Sequence, residues 1–223
     1  MDQEANMAAG LTAAEFHASP GVEDWRVTSW GPQACFRSAS LSQAAGLLPA
    51  VVDAAARFDL SPDVDVRPEA VIVRIPYRGA DRIPSQASGL AATISSAARR
   101  LDLTPEPTLI QTVDIAVAQH PELDTRPFWA TVLGYEPTGD VDAVDPLRRG
   151  PQLSFQDIRP ARTGRGRTHI DVSVPADQAK ARVDAAVSAG GRIVDDSYAP
   201  AWWTLASPDN HGVDVAAWTD TYE

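Results

Sequence analysis

The sequence predicts an α+β chain in two pieces, each with its own sheet and helices. Strand-like runs rich in Val, Ile, Trp and Phe alternate with segments whose apolar residues recur at helical spacing. Residues 101–108, LDLTPEPT, interrupt this pattern. Pro105 and Pro107 push the residues before them toward extended backbone, so a helix should not cross. The 223 residues suffice for one large domain or two small ones, and an apolar content of 44% is ordinary for a folded core. The expected domains are therefore 1–103 and 109–223.

In the first piece, Thr12 followed by Glu15 fits a capping box and predicts a helix start in LTAAEFHASP. WRVTSW and ACFRSASL read as strands separated by Gly31-Pro32. SLSQAAGLLPAVVDAAARF carries Leu41, Leu48, Ala55 and Phe58 at helical spacing, with Gly46 and Pro49 expected to kink it. AVIVRIPY reads as a strand, with a fainter one before it, and GLAATISSAARRL as a closing helix. An α/β sandwich, with helices on one face of an antiparallel sheet, is the natural packing.

The second piece opens with the strand QTVDIAVA and a helix over PELDTRPFWATVLGY. Pro121 suits the helix start, Glu122 and Asp124 its positive N-terminal dipole, and Gly134 its end. Short strands follow around EPTGDV, PQLSFQDI and RTHIDVSV, then the helix ADQAKARVDAAVSAGG. Three more strands, GRIVDDSYA, AWWTLASP and GVDVAAW, complete a strand–helix–three-strand pattern occurring twice. Such a duplicated unit has to bury one face of each sheet against its own helix and leave the other faces to curl around a cavity.

Net charge is −11, spread along the chain, which argues against nucleic acid as a partner because phosphate binding needs a concentrated basic surface. No apolar run approaches the roughly 20 residues that span a bilayer. MDQEANMAAG lacks the basic start and apolar core of a signal peptide, so a cytoplasmic protein without membrane association is expected. A single cysteine, Cys35, excludes an internal disulfide framework and a Cys-rich zinc site.

The first piece resembles the pterin-4a-carbinolamine dehydratase family through ACFRSASL, LSP, VIVRIPY and SGLAATISSAARRL in that order. The resemblance implies His-His-Pro after the long helix, a further histidine and an aspartate. Here Leu60-Ser61-Pro62, Arg78 and Thr93 stand in those places. Leu60 and Ser61 cannot exchange a proton near neutrality and Arg78 stays protonated, so the fold is expected without the dehydration chemistry. Packing or dimerisation then becomes the domain's expected role, and the chain is expected as a homodimer.

The second piece resembles the glyoxalase/bleomycin-resistance group, the vicinal oxygen chelate superfamily, through FWATVLGY, LSFQDI, THIDVSV and WWTLASPDNHGVDV. The resemblance implies paired βαβββ units forming an open barrel around a small molecule. It also implies that metal-dependent members draw ligands from the first and fourth strand of each unit. By position these are Asp114, Gln156, His169 and Gly212, and glycine offers no donor. No cofactor is expected; a divalent metal, if bound, would rest on Asp114, Gln156 and His169.

His169 and Asp171, two apart on a strand, leave the backbone on one face, and Asp214 shares the inward face assigned to Gly212. With Asp114 they can converge into a proton-transfer or ligand-binding group. A solvated polar pair is the alternative. Adjacent Trp202 and Trp203 must face opposite sides, so one should line the ligand face and the other the core. Phe128 and Trp129 read as core. His211 reads as a turn residue, and Arg162, Arg165 and Arg167 as a solvated loop or an anion clamp. Two functions stay open: a lyase, isomerase or hydrolase acting on a small polar molecule, or a protein that binds one without turnover. An active pterin dehydratase is the weaker third.

Overall fold

The structure is a computed structural model that describes residues 10–77, 82–119, 121–122, 124, 126–140, 142–157, 168–206 and 212–217. Arg78, Arg162, Arg165, Arg167 and His211 lie outside these residues, as does the side chain of Phe128. The chain is α+β and divides into two units between Ile110 and Gln111.

In the first unit, α1 (Ala13–His17) starts at the predicted capping box. Thr12 Oγ1 accepts the Glu15 N–H at 3.1 Å, and Glu15 Oε2 accepts the Thr12 N–H at 2.8 Å. Strands β1 (Trp25–Thr28) and β2 (Gly31–Arg37) form a hairpin. The expected kink is a full break: α2 (Leu41–Ala45) ends at Gly46, and α3 (Leu48–Phe58) restarts with Pro49 in its first turn, where a missing N–H costs nothing. β3 (Asp63–Val66) is the faint strand, β4 (Ala70–Arg74) follows, and α4 (Ala87–Arg100) closes the order. The antiparallel sheet runs β1-β2-β4-β3.

Alternation decides which sheet face is covered. Trp25, Val27, Ala34, Phe36, Val71 and Val73 form one core with the helix residues Phe16, Val51, Leu90 and Ile94. The Trp25 indole N–H donates to Ser95 Oγ at 3.0 Å, so the largest core side chain leaves no polar atom unsatisfied. The opposite face presents Cys35, Ala70 and Ile72, which pack with Ile110. The predicted linker is thus partly built into this unit. β5 (Thr104–Pro105) pairs with the Phe36–Arg37 end of β2, and the Glu106 N–H donates to the Cys35 carbonyl at 2.8 Å.

The second unit has the order β6 (Thr112–Gln119), α5 (Arg126–Leu133), β7 (Glu136–Thr138), β8 (Asp142–Val144), β9 (Gln152–Asp157). It repeats as β10 (Thr168–Val174), α6 (Ala176–Ser188), β11 (Arg192–Asp195), β12 (Trp202–Ala206), β13 (Gly212–Ala217). The eight strands form one sheet, β11-β12-β13-β10-β6-β9-β8-β7. Within each half the first and last strands pair in parallel, β6 with β9 and β10 with β13; the halves join through antiparallel β6 and β10.

α5 begins later than the sequence suggests. Asp124 Oδ1 accepts the Arg126 N–H at 3.0 Å and Pro127 occupies the first turn, so the cap lies at Asp124 and not near Pro121. Its predicted end holds, with Gly134 at φ 67°. Both helices cover one sheet face. Val117, Leu153, Phe155 and Ala143 pack with Ala130 and Trp129 of α5. Val174, Trp203, Leu205 and Val215 pack with Ala179 and Val183 of α6. Strand registers put these apolar residues on a single face, so the polar residues alternating with them share the other.

Candidate functional site

The polar face is organised by register. Directly paired residues share a face, and Asp114 on β6 pairs with Asp171 on β10, which pairs with Asp214 on β13. The row continues through Gln152 on β9 at one end and through Thr204 and Asp195 at the other. Three carboxylates therefore stand on three adjacent central strands, with Cα atoms about 5 Å apart. His169 lies one side-chain step along β10, opposite Ala116 and beside Gly212, where an added Cβ would come 3.4 Å from His169 Cβ.

His169 Nε2 lies 3.0 Å from Asp171 Oδ1 and 3.4 Å from Asp214 Oδ2. The nearer contact is an ion pair, and among the described residues Oδ1 of Asp171 is buried without a further hydrogen-bond partner. The carboxylates of Asp171 and then Asp214 push the imidazole up to about 10, against the opposing effect of burial. The resting histidine is thus an imidazolium at neutral pH, a proton holder and not a ready base.

The structure brings together His169, Asp171 and Asp214, with Asp114 alongside. It does not bring Gln156 to them: that residue pairs with Ala118 and is exposed, and Gln152 is the fourth-strand residue beside Asp114. The tryptophans separate as alternation requires. Both tryptophans were candidate ligand contacts, and Trp203, buried against α6, is the one that belongs to the core. Trp202 pairs with Ala216, so it shares the polar face, diagonal to Asp214; its ring stacks on Tyr198 with centroids 4.1 Å apart. Sequence reading missed Gln152, Thr204 and Asp195. It also missed Asp142, which pairs with Ser154 on the same face and whose carboxyl burial pushes up. Only the registers could have found them.

The second unit is thus a pair of βαβββ units with a polar face opposite the helices. Residues 112–216 match the family described as Glyoxalase-like domain. No curated protein matches the chain.

Such domains often use a divalent metal, and one donor from each of His169, Asp171 and Asp214 lies within 4.8 Å of the others. The donor set that the resemblance implies does not fit, because Gly212 supplies no ligand and Gln156 stands apart from His169. Divalent ions are therefore expected to bind weakly at pH 7. Elemental analysis showing near-stoichiometric zinc, nickel or iron, lost on His169→Ala, would reject this expectation.

Proposed function

We propose that the C-terminal unit is a small-molecule enzyme of glyoxalase-like type, acting by proton transfer on a ligand bound at the polar face of its sheet. The open barrel that the resemblance implies would be this face curled around the ligand. The observation supporting the reading is His169 Nε2 within 3.0 Å of Asp171 and 3.4 Å of Asp214 on that face. An imidazolium held by two carboxylates can donate its proton, and a freed carboxylate can take one, which suits a lyase, isomerase or hydrolase. No metal enters these steps.

The same cluster also favours a second reading. A histidine raised to about 10 is mismatched to acid–base work at neutral pH, and suits binding without turnover. The two readings separate in one experiment. A library of metabolite-sized compounds is screened by melting shift, and each hit is incubated with the chain and followed by mass spectrometry. Product that disappears with His169→Ala supports the enzyme; binding without product supports the binder. A ligand response unchanged in both His169→Ala and Asp171→Asn, with stability lost, would make the cluster structural.

For the N-terminal unit we propose a packing or dimerising role without dehydratase chemistry. Leu60 packs on the core, Ser61 is exposed, and Thr93 donates its hydroxyl to the Gly89 carbonyl of its own helix at 2.8 Å. The purified chain is expected not to dehydrate pterin carbinolamines. Turnover abolished by substitution at Ser61 or Arg78 would overturn that.

A further inference from the structure

The polar face carries a second line of side chains, one step along the strands from the row of Asp171. In direct register, His169 on β10 pairs with Ala116 on β6, Ala116 with Ser154 on β9, Ser154 with Asp142 on β8, and Asp142 with Thr138 on β7. All of them therefore share the face of His169. Asp142 stands three strands away from His169, about 14 Å along the sheet. Between Ser154 and His169 the row holds only the Ala116 methyl, so none of its side chains bridges the two ends. Ser154, Asp142 and Thr138 are half-buried, and among the described residues their side chains make no hydrogen bond. Burial pushes the Asp142 carboxyl up, against the pull of the Arg126 guanidinium.

We propose that Asp142 and Ser154 form a second pole of the ligand site and take a hydroxyl or carboxamide group of a small molecule whose other end meets His169. This deepens, and rests on, the reading that the polar face binds a small molecule. A ligand that covers half-buried polar groups must supply the hydrogen bonds that the fold does not. The Ser154 hydroxyl donates and accepts, and a carboxyl accepts when ionised and donates when protonated. A hydroxyl or a carboxamide satisfies both partners, because it too donates and accepts. A carboxylate at this pole would meet the charge of Asp142, and a hydrocarbon would leave both groups unpaired.

The test uses the full chain and three probes of similar shape: benzamide, benzoate and toluene. Binding is read from the backbone amide shifts of the isotope-labelled chain, which follow weak ligands. Benzamide is expected to bind about tenfold or more tighter than benzoate or toluene, and to lose about tenfold with Asp142→Ala. Ser154→Ala should cost a smaller factor. The deciding readout is selectivity. In Asp142→Ala the preference for benzamide over benzoate should collapse, whereas damage to the fold would weaken all three probes alike. Neither variant removes a side-chain hydrogen bond made among the described residues, so each should melt within a few degrees of the parent.

If all three probes bind alike, or if the preference for benzamide survives Asp142→Ala, the second pole is wrong. If His169→Ala abolishes benzamide binding while Asp142→Ala leaves it unchanged, the small-molecule reading stands and the second pole is again wrong. If no probe binds, the pole fails too, and the compound screen by melting shift then decides the small-molecule reading separately.

Discussion

Trp203→Ala is expected to destabilise the C-terminal unit severely, whereas Trp202→Ala, one residue earlier, lowers its melting by only a few degrees and removes its response to ligand. The difference follows from strand alternation. Trp203 is 6% exposed and packs among Leu205, Val215 and Val174, with Ala179 and Val183 of α6 closing over it. Truncating such a side chain removes a large apolar area and leaves a cavity, at about 3–5 kcal/mol. For a unit of this size each kcal/mol lowers the melting temperature by roughly 4–8 °C. Trp202 is half-buried on the opposite face and loses its stacking on Tyr198, at about 1 kcal/mol. Thermal melts of the two variants, set beside ligand titrations, check the pair. Equal destabilisation by both would mean that the two faces have been misassigned.

The stability contributed by His169 is expected to drain away as the solution becomes alkaline. Its pKa rises from 6.5 when unfolded to about 10 in the fold, so the folded state binds the proton more tightly. That contribution is complete below about pH 6.5 and is lost as pH rises through about 10. At neutral pH it is on the order of a few kcal/mol, reduced by partial exposure of the pair. His169→Ala removes the proton site and leaves Asp171 and Asp214 facing each other. Urea unfolding between pH 6 and 10.5 should therefore show a large gap between parent and variant at the acid end, narrowing toward the alkaline end. Parallel profiles would show that His169 is not held as an imidazolium.

Local chemistry was legible wherever a short stretch of chain decides the outcome. The Thr12–Glu15 capping box, the break at Gly46 and the left-handed Gly134 each depend on residues a few positions apart, and each is present. β8 was not legible, because Asp142–Val144 is too short to show alternation and exists by pairing with β7 and β9. The start of α5 was misplaced because Pro121, Glu122 and Asp124 all suit a first turn that the chain begins only at Arg126. The Asp124 side chain favours this later start by accepting the Arg126 N–H.

The site divides along the same line. That His169 and Asp171 share a face, and that Trp202 and Trp203 do not, was determined by the sequence alone, since side chains on a strand alternate with a period of two. Which tryptophan is buried was decided by α6, which covers one face and leaves the other polar. The meeting of Asp114, Asp171 and Asp214 was decided by the registers of β6, β10 and β13, strands far apart in the chain. The same registers set Gln152, and not Gln156, beside Asp114. A shift of one residue in any of these pairings would send a carboxylate to the helix-covered face. Alternation is a property of each strand by itself. Register is settled only when apolar residues of separate strands, such as Val117 and Phe155 or Trp203 and Val215, are buried together against α5 and α6.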